Sequence, residues 1–180
     1  DPGFAIKQFP SQYPSHFVIT AALDIQDKIS DASEIKSVEI VGPAMNYVNR
    51  PSPRTGIEGK FSFQYVAAAA LLDGEIVIDT FTDERVQKPD IRELLGKTTF
   101  VQSEDIPKGM DKMHVEITVT LKNGESIGER CDGPKDFWGA PKLTKEEHLK
   151  KIRGCLRSRL DESASERLIV LCDSLENLSP

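Results

Sequence analysis

The sequence predicts an α+β fold, with a mostly antiparallel sheet of about four strands and helices packed on one face. Residues 113–121 alternate apolar and polar side chains, which is typical of a strand with one solvated face. Asn123-Gly124 follows directly and is a strong signal for a β-hairpin. Several other stretches show the three-four apolar spacing of helices, and this mixture is typical of an α+β domain.

The amino-terminal half contains two predicted helices and one predicted strand. A helix is expected over about 16–30, with Ser15 as its N-cap. A strand is expected over 35–41, and Gly42-Pro43 should stop it. The second helix, about 59–72, is apolar nearly all round, which predicts that it is buried.

The second half continues with a short helix, the remaining strands and two closing helices. Thr144 with Glu147 three residues later forms a capping box, which predicts the start of a helix. The expected ranges are 91–95 for the short helix, 98–102, 113–121 and 125–131 for strands, and 145–160 and 164–175 for the closing helices.

Composition limits the function classes. The chain has 180 residues, enough for a core without a metal or disulfide. Its net charge of −6 argues against general nucleic-acid binding, although a local positive pocket for a small anion remains compatible with it. The longest apolar run has eight residues, too few to cross a membrane. Cys131, Cys155 and Cys172 lack metal-ligand spacing, so we expect reduced thiols and a cytoplasmic location.

No self-contained catalytic motif is present, so candidate chemistry rests on two groups of polar residues. The first is Lys7, Gln12, Ser15 and His16, just before and at the start of the first helix. A helix N-terminus with a nearby lysine can bind a carboxylate, and histidine transfers protons near neutral pH. The alternative interpretation is a surface lysine beside a histidine in the capping region.

The second group lies in a long irregular loop and at the start of the second predicted helix. Its cations and hydroxyls could clamp a second anionic group, whereas the alternative is ordinary solvated loop charge. Its members are Arg50, Arg54, Thr55, Lys60 and Ser62.

One segment carries a family resemblance. Residues 53–65, P-R-T-G-I-E-G-K-F-S-F-Q-Y, are followed by Ala67–Ala70, and Lys7-Gln8-Phe9-Pro10-Ser11 with His16 lies upstream. Together these motifs resemble the MmgE/PrpD family over about residues 5–157. The resemblance implies that residues 1–180 form a single α+β lid domain, the C-terminal one. It also implies a helical domain N-terminal to Asp1, absent from this chain, an active site in the cleft between the domains, and a homodimer.

The same resemblance implies roles for individual residues. Lys7 matches a lysine expected to contact a substrate carboxylate, and His16 matches the histidine at the helix start, a candidate catalytic residue. Lys60 and Ser62 match the K-F-S motif and are candidate substrate-binding residues. Gln12, another candidate substrate contact, departs from the family, whose members often have Cys or His there. Glutamine cannot transfer a proton at neutral pH, which argues against proton transfer from this position.

The implied chemistry is proton abstraction beside a carboxylate, followed by loss of water, loss of carbon dioxide or reprotonation. The expected function is therefore the substrate-covering domain of a lyase or isomerase acting on small di- and tricarboxylates, as in 2-methylcitrate dehydratase. No cofactor or metal is implied, nor a nucleic-acid or membrane partner, and the domain alone should be inactive. The alternative is a non-catalytic binding or dimerisation module derived from the same fold.

Overall fold

The computed structural model describes residues 6–137 and 140–177. Contacts between Cα atoms divide the chain into two compact units, Asp1–Lys142 and Leu143–Pro180. The expectation of a single domain over residues 1–180 stays a prediction. None of the helices in the described part of the chain is long and apolar enough to cross a membrane.

The first unit contains, within the described residues, five α-helices and four strands. Short 3-10 turns precede β1, follow it, and connect α3 to α4. The helices are α1 (Ser15–Gln26), α2 (Gly56–Lys60), α3 (Phe63–Asp73), α4 (Asp83–Val86) and α5 (Pro89–Leu95), and the strands are β1 (Ile35–Pro43), β2 (Thr98–Ser103), β3 (Val115–Leu121) and β4 (Ser126–Cys131).

The four strands form one sheet in the order β2-β1-β3-β4. The β1–β3 and β3–β4 pairs are antiparallel, whereas β1 and β2 are parallel. Val38 lies opposite Val119 and Ile40 opposite Ile117, so these buried side chains share one face, where they join the core with the helices. The predicted α+β fold, with a mostly antiparallel sheet and helices on one face, is confirmed.

Helix α3 lies at the centre of this core. Every residue of Phe63–Leu71 is buried, as the all-round apolar pattern predicts. The helix packs against α1, α5 and β2. The Ala67–Ala70 stretch is completely buried, and its small side chains let the neighbouring elements approach closely.

Three predicted boundaries are wrong for identifiable reasons. Pro14, not Ser15, occupies the N-cap position of α1, and Ser15 is its first helical residue. Strand β1 continues through Gly42 and Pro43, because both remain paired with β2. The second predicted helix is two helices, because Ser62 begins a new one as the N-cap of α3.

The second unit contains two α-helices within its described residues, α6 (Lys145–Leu156) and α7 (Glu162–Asp173). The predicted capping box is confirmed: the Glu147 amide donates to Thr144 Oγ1 at 3.2 Å, and the Thr144 amide donates to Glu147 Oε2 at 2.8 Å. Arg153 joins the two helices through an ion pair with Glu166, 2.7 Å between Nε and Oε1.

Candidate functional site

The amino-terminal segment, residues 6–16, folds back onto the start of α1. The amide of Ile6 donates to the carbonyl of Asp136 at 3.4 Å, which fixes the beginning of the segment. The amide of Phe9 donates to His16 Nε2 at 3.2 Å, which fixes its middle. Lys7 therefore lies between two points at which the backbone is held.

His16 is completely buried, and backbone groups engage both of its ring nitrogens. Because Nε2 accepts from Phe9, the ring proton resides on Nδ1, which donates to the carbonyl of Gln12 at 3.1 Å. The rings of Phe9, Tyr13 and Phe137 surround it, with centroids 5.3, 6.1 and 5.4 Å away. The structure thus holds a neutral imidazole inside an aromatic cage.

Gln12 is half-buried beside this cage. Its Nε2 donates to the hydroxyl of Ser15 at 2.9 Å, and Ser15 is completely buried. The amides of His16 and Phe17 donate to the carbonyls of Tyr13 and Pro14. These two amides of the first turn are therefore used within the fold, and the predicted carboxylate site at this helix start stays a prediction.

Lys7 is exposed, in contrast to His16. Its Nζ lies 4.7 Å from the centroid of the Tyr13 ring, within the range of a cation–π contact. Among residues 6–137 and 140–177, no carboxylate forms an ion pair with Lys7, whereas Lys97, for example, pairs with Glu93 at 2.6 Å. A ring therefore supports this exposed ammonium.

The α2 segment, residues 50–62, is held by close backbone packing and by side chains that bond to its backbone, such as Asp83, whose Oδ1 accepts from the amide of Gly56 at 2.7 Å. Thr55 caps α2 by accepting from the amide of Glu58 at 3.2 Å. A Cβ on Gly56 would lie 1.8 Å from the carbonyl oxygen of Phe81, so this close approach requires glycine. A Cβ on Gly59 would lie 2.9 Å from the Tyr65 ring. Both glycines of the G-I-E-G-K-F-S stretch are thus explained by packing.

Ser62 is completely buried and belongs to the same framework. Its hydroxyl donates to the carbonyl of Arg50 at 2.6 Å and accepts from the amide of Tyr65 at 2.9 Å. The Tyr65 hydroxyl donates to the carbonyl of Thr80, and burial raises the pKa of this phenol, so it remains a neutral donor. The structure therefore uses the Ser62 hydroxyl to join the loop to α3.

Lys60 is half-buried and connects the α2 segment to the amino-terminal segment. Its carbonyl accepts from the Ser11 hydroxyl at 2.9 Å. Its Nζ lies 5.5 Å from the centroid of the Phe81 ring, and no carboxylate within the described ranges pairs with it. The guanidinium carbon of Arg50, which is exposed, lies 5.7 Å from the centroid of the Phe61 ring. Two adjoining segments therefore each present cations supported by aromatic rings.

The predicted site residues fall into two classes in the structure. Lys7 and Lys60 extend from segments that meet at the Ser11–Lys60 hydrogen bond, whereas His16 and Ser62 are buried within the fold. The catalytic and substrate-binding roles proposed for these residues and for Gln12 stay predictions. Sequence reasoning missed the rings of Tyr13 and Phe81, because no pattern pairs Lys60 with a ring 21 positions away.

Other chemistry-bearing groups lie elsewhere. In the part of the chain that the structure describes, no group of three or more His, Cys, Asp or Glu side chains is placed to hold a metal ion. Cys131 is buried, and burial raises the pKa of its thiol to about 11. Cys155 and Cys172 are exposed free thiols.

Comparison with known proteins identifies the family. The model of the MmgE/PrpD C-terminal domain matches residues 9–177. The chain belongs to the MmgE/PrpD family. Its sequence is 35% identical to the cis-aconitate decarboxylase of Mus musculus and 33% identical to that of Homo sapiens, each over 97% of this chain. A cis-aconitate decarboxylase of Aspergillus terreus is 26% identical over 74% of the chain.

This MmgE/PrpD chain spans only part of those relatives. It covers 37% of the mouse and human proteins and 28% of the Aspergillus terreus protein. The matched region includes the Lys60–Ser62 motif and most of the amino-terminal segment, and it extends over the helices of the second unit.

Proposed function

We propose that this chain is the substrate-covering domain of a cofactor-independent lyase or isomerase that acts on small di- or tricarboxylates. The observation that carries the proposal is the placement of Lys7 and Lys60. Each ammonium lies on an aromatic ring and outside the ion pairs of the described chain. The Ser11–Lys60 hydrogen bond keeps the two lysine-bearing segments adjacent.

Two ammonium groups on adjoining segments fit the charge of such substrates. Proton abstraction beside a carboxylate, or loss of carbon dioxide, passes through a species with added negative charge on the carboxylate-bearing carbon framework. Cations held in advance in a water-poor cleft stabilise that charge without reorganising. The role proposed for Lys7 and Lys60 is therefore to bind carboxylates and to stabilise the developing anion.

Among the candidate substrates, the names of the relatives favour cis-aconitate. A decarboxylation must return a proton to carbon after the carbon dioxide has left. The Gln12 amide does not titrate, and both nitrogens of His16 are bonded to the backbone. We therefore assign proton transfer to groups outside these positions, in a helical domain that completes the cleft. Dehydration and epimerisation share the same anionic step and remain the competing reactions, and the homodimer remains part of the proposal.

A second candidate function is a non-catalytic carboxylate-binding module. Two observations favour this module: the Gln12 amide, bonded to Ser15, cannot transfer a proton, and both ring nitrogens of His16 are bonded to the backbone. The two candidates differ in a measurable way. Both bind a polycarboxylate, but only the enzyme converts it.

The test uses the full-length protein and measures binding and turnover of cis-aconitate, 2-methylcitrate and an aminodicarboxylate. Lys7→Ala and Lys60→Ala should each weaken binding or kcat/KM by about tenfold, a typical loss for a charge-assisted hydrogen bond. Lys36→Ala is the matched control, because it removes one exposed positive charge from β1, outside both lysine-bearing segments. Binding without turnover would support the module, and unchanged affinity in both lysine variants would refute the proposal.

A further inference from the structure

We propose that His16 is a positioning residue, which holds Lys7 where it can contact a carboxylate, and that it acts as a neutral imidazole. This inference rests on the proposed function of Lys7. Its basis is the geometry of the ring, which is completely buried and bonded at both nitrogens to backbone groups of the amino-terminal segment.

The two hydrogen bonds of His16 close a loop in the chain. Nε2 accepts from the amide of Phe9, two residues after Lys7, and Nδ1 donates to the carbonyl of Gln12. A single neutral imidazole supplies one donor and one acceptor at fixed separation, which this loop needs. Protonation would remove the acceptor, and an apolar ring of similar size would leave the buried Phe9 amide and the part-buried Gln12 carbonyl without these partners.

His16 also reaches the ring that supports the ammonium of Lys7. The Tyr13 and His16 rings lie 6.1 Å apart, with an interplanar angle of 26°. Lys7 Nζ lies over the same Tyr13 ring at 4.7 Å. The backbone on one side of Lys7 and the ring beneath its side chain are therefore both fixed by His16.

Two conservative variants separate the two hydrogen bonds. His16→Gln places an amide oxygen near the position of Nε2 and can still accept from Phe9. His16→Asn places an amide N–H near the position of Nδ1 and can still donate to Gln12. Phe9 is nearer to Lys7 in the sequence than Gln12 is, so the bond to Phe9 should matter more for the position of Lys7. His16→Gln should therefore retain affinity within about threefold. His16→Asn should lose about tenfold, a typical cost of an unmade buried hydrogen bond.

A double-mutant cycle in the full-length protein tests whether the effect passes through Lys7. Affinity and turnover are measured for cis-aconitate in wild type, Lys7→Ala, His16→Asn and the double variant. Positioning predicts that His16→Asn raises KM more than it lowers kcat, and that it costs little further affinity once Lys7 is alanine. An undiminished effect in the Lys7→Ala background, or loss of kcat alone in both His16 variants, would overturn the inference.

A ligand-independent measurement keeps this inference separate from the proposed function. Hydrogen exchange at the Phe9 amide should accelerate at least tenfold in His16→Asn and stay near the wild-type rate in His16→Gln, while the core amides of α1 remain protected. His114→Asn, at a half-buried histidine before β3, is the control and should change neither hydrogen exchange at Phe9 nor affinity for cis-aconitate. Wild-type protein that fails to bind cis-aconitate refutes the proposed function, whereas unchanged exchange at Phe9 refutes the positioning role by itself.

Discussion

The amino-terminal segment and the α2 segment present the same kind of group by different means. Each presents a lysine whose ammonium lies over an aromatic ring, Tyr13 for the exposed Lys7 and Phe81 for the half-buried Lys60. The first segment is anchored by a buried side chain, the imidazole of His16. The second is anchored by close backbone packing, which at Gly56 lies directly against a carbonyl, as well as by side-chain hydrogen bonds.

The difference shows which changes each segment can tolerate. A segment held by side-chain hydrogen bonds can be loosened in steps, because donors and acceptors can be removed one at a time. The backbone contact at Gly56 has no such intermediate, because the first added carbon already collides with the Phe81 carbonyl. We therefore expect large losses of stability at the α2 segment and graded losses at the amino-terminal segment.

The largest expected effect follows from breaking the backbone contact of α2. Gly56→Ala should lower the free energy of unfolding by about 3 kcal/mol, the upper end of typical overpacking costs, because the new Cβ meets the Phe81 carbonyl at 1.8 Å. Urea unfolding measures the change. Gly128→Ala is the control, since its nearest contact would be an ordinary 3.7 Å to the carbonyl of Ile117. Equal stability of the two variants would contradict the packing account.

Removing the hydroxyl that joins the loop to α3 should have the next largest effect. Ser62→Ala deletes the N-cap of α3 and leaves the Arg50 carbonyl without this donor, which together cost about 2 kcal/mol. The same urea titration measures the loss. Ser52→Ala, at an exposed position in the same loop, should remain within about 0.5 kcal/mol of wild type. A Ser62 variant as stable as the Ser52 variant would show that the cap contributes little.

Cutting the bond between the two segments should have a smaller effect. Ser11→Ala removes the donor to the Lys60 carbonyl and should cost about 1 kcal/mol. If this bond keeps the segments adjacent, the variant should also bind cis-aconitate more weakly than its stability loss alone explains. Affinity for cis-aconitate is measured under conditions in which the variant remains fully folded. Wild-type affinity under those conditions would show that binding does not depend on this bond between the segments.

The smallest effect on stability is expected at the lysines themselves. Lys7→Met and Lys60→Met keep the apolar stems and remove only the charges, so the free energy of unfolding should change by no more than about 0.5 kcal/mol. Thermal unfolding measured without and with cis-aconitate reports the intrinsic stability and the binding of the ligand, respectively. Wild-type stability combined with loss of the ligand-induced rise in Tm is the expected result. A large loss of intrinsic stability would mean that the lysines serve the fold.

The fold was predictable where one local signal determined one element. The alternation of residues 113–121 and the Asn123-Gly124 turn predict β3 and the hairpin, and Thr144 with Glu147 predicts the start of α6, as observed. The parallel pairing of β1 with β2 was not predictable, because it joins strands separated by more than 50 residues. The break at Ser62 was missed because apolar residues on both sides of it read as one continuous helix, although its hydroxyl caps α3 through the local amide of Tyr65.

The candidate site was predictable in residue type but not in arrangement. The residue types near the start of α1 marked Lys7 and His16 as candidates. They did not indicate that Lys7 is exposed and His16 completely buried. Burial of His16 depends on Phe137, which lies 121 positions away and packs on the ring at 5.4 Å. Such long-range packing leaves no periodic signal in the sequence.

The parallel β1–β2 pair also has a consequence for the order of folding. The whole of α2 and α3 lies in the crossover between these strands, so β2 cannot dock until that long stretch has closed. Closing a long loop is entropically costly and slows the pairing of parallel strands, whereas the β3–β4 hairpin forms from local contacts. The hairpin should therefore form early in refolding, whereas the Ser11–Lys60 contact, which joins positions 49 apart, should form later.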